Sequence, residues 1–134
     1  MNGVQGHSPG FLALVEATRR RVACLTIADY LAMRERGETP LLVDVREDRE
    51  WDAGHLPGAV HMSKGIIERD IEAVVPDPAT PIVLYCGGGF RSVLVCDNLQ
   101  RMGYTKCLSL DGGWRDWNAL GLPVELPMRK ECPR

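Results

Sequence analysis

The sequence predicts an α/β fold, a parallel sheet covered by helices on both faces, and three observations carry that expectation. Short apolar runs at 41–45 and 81–85 show no polar alternation, which is the pattern of strands buried on both sides. Between such runs lie helix-periodic stretches with their own start and stop signals. A glycine-rich turn at 86–89 then joins the second run to a helix, the strand, turn and helix order of an open α/β sheet.

The elements follow in chain order. Ser8-Pro9 supplies an N-cap with proline at the first helical position, and Phe11, Val15, Thr18 and Val22 recur at helical spacing. Cys24-Leu25-Thr26 forms a short strand, with Thr26 and Asp29 placed as a capping box for a helix that Gly37 closes. The strand at 41–45 leads to a helical turn through Arg49-Glu50-Trp51 that ends at Gly54, and Leu56-Pro57-Gly58 turns into a small strand at 59–62. Ile66, Ile67, Ile71 and Val74 mark a helix, which the segment 76–81 breaks before the strand leading to Cys86. Leu94, Val95, Leu99 and Met102 share one face of the next helix, and Gly103 takes its left-handed C-terminal position. A strand at 107–110, the turn Asp111-Gly112-Gly113 and a helix at 114–120 close the domain. Right-handed crossovers gather the C-terminal ends of all strands on one edge, where sheets of this kind bind ligands.

A chain of 134 residues fits one domain, read as a helical extension at 1–22, the domain proper at 23–124 and a C-terminal tail at 125–134. A formal charge of −2, with 16 basic against 18 acidic residues, argues against nucleic-acid or membrane binding. The one basic run, Arg19-Arg20-Arg21, ends the first helix, where cations complement the carbonyl end. No stretch has membrane-spanning length and no secretory signal is visible, so a cytoplasmic location is expected. Five cysteines without a Cys-x-x-Cys pair suggest free thiols, with neither a disulfide framework nor a metal site.

Chemistry concentrates at Cys86-Gly87-Gly88-Gly89-Phe90-Arg91-Ser92. A strand end, a glycine turn and a helix start aim backbone N–H groups at one point, and a thiol placed there favours its anionic form. Packing alone would explain a lone cysteine ending a strand. Three glycines in succession cost conformational entropy, however, and their use is close backbone approach to an anion. Arg91 adds a permanent cation at the helix entry and Ser92 a hydroxyl and an N–H, so catalysis is the expected role of Cys86. Neither Gly-x-Gly-x-x-Gly nor the Gly-Lys-Ser/Thr of a phosphate-binding loop is matched.

With Leu42-Val43-Asp44-Val45-Arg46-Glu47, Glu50-Trp51, Gly54-His55-Leu56-Pro57-Gly58-Ala59 and Leu110-Asp111-Gly112-Gly113-Trp114 beside that loop, the chain resembles the rhodanese-like sulfurtransferases from about 25 to 123. The resemblance implies a five-stranded parallel sheet with flanking helices and a persulfide on Cys86, needing no other cofactor. It further implies sulfur transfer from a small anionic donor such as thiosulfate to cyanide, a thiol or a protein acceptor. Relatives of this fold, the Cdc25-type phosphatases, use a loop one residue longer that makes room for a tetrahedral phosphate. Four residues separate Cys86 from Arg91 here, which favours sulfur transfer over phosphatase or arsenate reductase chemistry. A sulfur carrier or binding module with low turnover is the other alternative.

Remaining residues are weighed individually. Asp44 and Arg46 line the pocket or form a structural ion pair, and Arg91 either faces the pocket or ties the loop down, for instance through Asp44. His55 is expected to be packed and hydrogen-bonded. Cys24, Cys96 and Cys107 are expected to pack as small hydrophobes, whereas Cys132, in a polar tail, is a candidate to resolve the persulfide. Trp114 and Trp117 are expected to cover the sheet edge, and Lys64 is a candidate for the pocket rim.

Overall fold

A computed structural model describes residues 6–127; Cys132 lies outside them. The chain runs α1 (Pro9–Arg19), β1 (Ala23–Leu25), α2 (Ile27–Glu35), β2 (Leu41–Asp44), α3 (Asp48–Asp52), β3 (Val60–His61), α4 (Ile67–Val74), β4 (Ile82–Tyr85), α5 (Arg91–Arg101), β5 (Cys107–Leu110) and α6 (Gly113–Ala119). All strands pair in parallel in the order β1-β5-β4-β2-β3, which is the five-stranded sheet the sequence leads one to expect.

Local signals set most of these boundaries. Ser8 Oγ accepts the Phe11 N–H at 3.5 Å, and both bonds of the Thr26–Asp29 capping box form, at 3.0 and 3.4 Å. Gly37, at φ +81°, ends the second helix. Side chains of β4 then divide by period two: Ile82 and Leu84 join Val43, Ile67, Ile71, Val95 and Leu99 in one core, while Val83 and Tyr85 join Leu25, Tyr30, Leu42 and Trp117 in the other. Helices α4 and α5 therefore cover one face and α2 and α6 the opposite one.

Two details differ from the sequence reading. On α5 the buried apolar residues are Val93, Val95, Cys96 and Leu99, with Leu94 only half-buried, because the helix is packed between the sheet and α1 and so buries more than one stripe. Helix α1 stops at Arg19, and the basic run that follows makes specific pairs rather than serving the helix end alone. Arg21 forms a forked pair with Asp97 on α5 at 3.2 and 3.1 Å, and Arg19 reaches Asp111 at 3.2 Å. The N-terminal helix is thereby fixed along α5, with Val15 and Thr18 buried beneath it.

Adjacent strands β4 and β5 send their chains to opposite faces, into α5 and α6. A crevice opens between them at the C-terminal edge of the sheet. Cys86 follows β4 directly into that crevice.

Candidate active site

Four fully buried β4 residues carry the backbone to Cys86, which the loop then surrounds. Trp114 and Arg115, near the start of α6, donate their N–H groups to the carbonyls of Cys86 and Gly87, both at 2.9 Å. In a trans peptide the N–H points away from its carbonyl, so pulling these two carbonyls toward α6 turns the N–H groups of Gly87 and Gly88 the other way. Among the described residues, the N–H groups of Gly87, Gly88, Phe90 and Arg91 meet no protein acceptor and remain free for an anion. The approach of α6 demands glycine at 113, where φ is +48° and a Cβ would collide with the Cys86 carbonyl oxygen.

Cys86 Sγ receives the N–H of Gly89 at 3.2 Å and that of Ser92 at 3.4 Å. Its thiol also contacts Ser92 Oγ at 3.6 Å, and Ser92 Oγ in turn shares a hydrogen bond of 2.8 Å with buried Ser109 on β5. Either hydroxyl in that pair can donate, so the pair can reverse: it accepts from a thiol and donates toward a thiolate or persulfide. Ser109 is a supporting residue that sequence reasoning missed, since its partner lies 17 positions away.

Arg91 answers the question left open by the sequence. Its guanidinium forks onto Glu50 of α3 at 2.9 and 3.0 Å, tying the loop to the scaffold through Glu50 rather than Asp44. Those bonds hold Glu50 well below the ordinary carboxylate value, at about 2, and raise Arg91. Gly87 makes room for the fold-back, because a Cβ there would stand 3.1 Å from Arg91 Nη2.

Asp44 and Arg46 lie beneath the site rather than in it. Asp44 is 0% and Arg46 2% exposed; the guanidinium bonds both carboxylate oxygens at 2.8–3.1 Å and donates to the Gly54 carbonyl at 2.7 Å. Tyr85 donates to Asp44 at 2.6 Å and accepts the Leu56 N–H at 3.0 Å, with burial and the Asp44 charge keeping its hydroxyl protonated. His55 is packed, stacking on Trp51 at 3.6 Å, and its Nδ1 lies 3.0 Å from the Leu56 carbonyl. Cys96 and Cys107 are buried, while Cys24 is half-buried.

The thiol faces a cleft of about 530 Å³ whose floor is Cys86, Gly87 and Gly88. His7, Phe11, Phe90, Arg91, Trp114 and Arg115 complete its lining. Trp114 packs partly buried against the core, as the sequence suggested, and also borders the cleft, its ring lying over the Arg46 guanidinium at 4.6 Å; Trp117 is buried. Lys64 is not among the lining residues. The sequence reading also missed His7 and Phe11, whose approach to the loop is a tertiary event with no local signal. Among the described residues no group of acidic, histidine and cysteine side chains is arranged to hold a metal, and no helix is long and apolar enough to cross a membrane.

Comparison with known proteins places this geometry among relatives. The model of the rhodanese-like domain matches residues 26–120. A sulfurtransferase of Allochromatium vinosum is 34% identical over 90 residues, covering 67% of this chain and 82% of that protein; in longer relatives the match spans as little as 28% of the length. A solved structure from Rhodopseudomonas palustris, of unknown function and described as a possible tyrosine phosphatase, superposes with a TM-score of 0.76 at 30% identity over 92% of this chain and all of that one. The polysulfide-sulfur transferase homodimer of Wolinella succinogenes superposes with a TM-score of 0.73 at 25% identity over 95% of both chains.

Proposed function

The chain belongs to the rhodanese-like domain family, which supports sulfur transfer as its chemistry, and from that premise we propose that it carries a sulfane sulfur as a persulfide on Cys86. The observation that carries this reading is the convergence of N–H donors on Cys86 Sγ at the floor of an open cleft. The thiolate attacks the outer sulfur of the donor, the donor's S–S bond breaks, and its electron pair leaves with sulfite when the donor is thiosulfate. A nucleophilic acceptor, cyanide or a thiolate, then attacks the outer persulfide sulfur and Cys86 departs as the thiolate. The free amides of Gly87, Gly88, Phe90 and Arg91 supply the electrostatic support that the added anionic sulfur needs.

Incubation with thiosulfate is expected to add the mass of one sulfur atom, and cyanide to remove it. Cys86→Ala is expected to abolish both events; a variant that still takes up and releases sulfur overturns the reading.

A phosphatase is the second reading, suggested by the description of the Rhodopseudomonas palustris relative. The loop speaks against it, since only four residues separate Cys86 from Arg91 and Arg91 is spent on Glu50. Turnover of an aryl phosphate without any persulfide formation would favour that second reading.

A further inference from the structure

Resting on the sulfur-transfer reading, we infer that the cleft selects a sulfane sulfur carried on a small organic body with one negative charge, an aryl or alkyl thiosulfonate or an organic persulfide, over inorganic thiosulfate. Charge is the first observation. Arg91, the loop's own cation, is neutralised by Glu50, to which it donates two bonds, and offers little to a doubly charged ion. The other cation on the cleft is Arg115, exposed, with Nη1 3.5 Å from where a Cβ of Gly88 would sit. Its ion pair, with Asp116, is 3.6 Å long and open to solvent, so this guanidinium is available to one anionic group at the mouth.

Apolar shape is the second. His7 packs on Phe90 with ring centroids 4.6 Å apart, and Phe11 stands 5.3 Å from His7 and 6.3 Å from Phe90. These rings and Trp114 line a space of about 530 Å³, within the range of organic ligands and far larger than an ion of a few heavy atoms needs. Thiosulfate would leave the rings wet, whereas an organic substituent would dry them and gain their contact.

The step with such a donor balances in the same way. The Cys86 thiolate attacks the outer sulfur of the thiosulfonate, the S–S bond breaks, and the electron pair leaves on the organic sulfinate. The outer sulfur keeps its negative charge as the persulfide terminus.

Benzenethiosulfonate and thiosulfate, each with cyanide as acceptor, test the inference through the ratio of their kcat/KM values. The leaving groups differ in intrinsic reactivity, so the readout is the change in that ratio on mutation. Phe11→Ala is expected to lower the ratio about tenfold. His7→Ala, on the exposed segment before α1 and therefore harmless to folding, is expected to lower it about threefold. Arg115→Gln is expected to reduce kcat/KM for both donors and to flatten its dependence on salt. A ratio unchanged within about twofold in both aromatic variants overturns the selectivity, even if both donors load Cys86. Failure of both donors, each in excess, to load Cys86 overturns the sulfur-transfer reading itself.

Discussion

Charge pairing at single residues divides the arginines of this protein by task. Arg46 is wholly buried and satisfied by Asp44, the Gly54 carbonyl and the faces of Tyr85 and Trp114, so it braces the platform under the cysteine loop. Asp44→Ala would leave that guanidinium buried without its counter-ion, and denaturant melts are expected to show a loss of about 3–5 kcal/mol. Arg91 and Glu50 form the more accessible pair. Because the folded state holds Glu50 at about 2 against an ordinary 4.5, the pair stabilises the fold fully above the ordinary value, and that contribution disappears as pH falls toward 2. The stability difference between wild type and Glu50→Gln is therefore expected to stay level near neutrality and to close between about pH 4.5 and 2 in pH-resolved melts. A gap that persists at the acid end would show that Glu50 acts through packing instead of charge.

Elements matter through how they meet. The cysteine loop follows β4, but its peptide orientation is imposed by α6, whose N–H groups hold the Cys86 and Gly87 carbonyls. Gly113→Ala brings a methyl group against the Cys86 carbonyl at a positive φ, so persulfide formation is expected to slow by roughly a hundredfold. Gly121→Ala is the matched control: its φ is also positive, at +69°, but no atom lies within 4 Å of the added methyl. The control is expected to lose about 1 kcal/mol or more of stability while persulfide formation, followed by mass, proceeds at the wild-type rate. Equal rates in the two variants would mean that α6 does not shape the loop.

Across the whole molecule, stability is graded outward from the centre of the sheet. Strand β4 is fully buried and flanked by β2 and β5, whereas β3 is a two-residue edge strand and the segment before α1 is exposed. Hydrogen exchange is expected to show amides of 82–85 opening only with global unfolding, and those of β3 and 7–10 opening locally. The order of strands and helices was legible in the sequence because caps, apolar runs and glycine turns act over a few residues. So was the cysteine loop, a contiguous segment. Glu50 on Arg91, Ser109 under Ser92 and the rings of His7 and Phe11 beside Phe90 were not legible, since each joins segments brought together only by the finished sheet. That Trp114 also borders the cleft was not legible for the same reason: its neighbours, Gly54 and Arg46, come from across the fold.

The bonds from α6 to the Cys86 and Gly87 carbonyls also set a time of assembly. During synthesis Cys86 emerges well before Gly113 and Trp114, and until β5 pairs and α6 docks, nothing turns the loop amides inward. A half-made or C-terminally truncated chain accordingly lacks the bonds that orient this loop, and the proposed sulfur-accepting site is expected to form only when the last helix closes on a completed sheet.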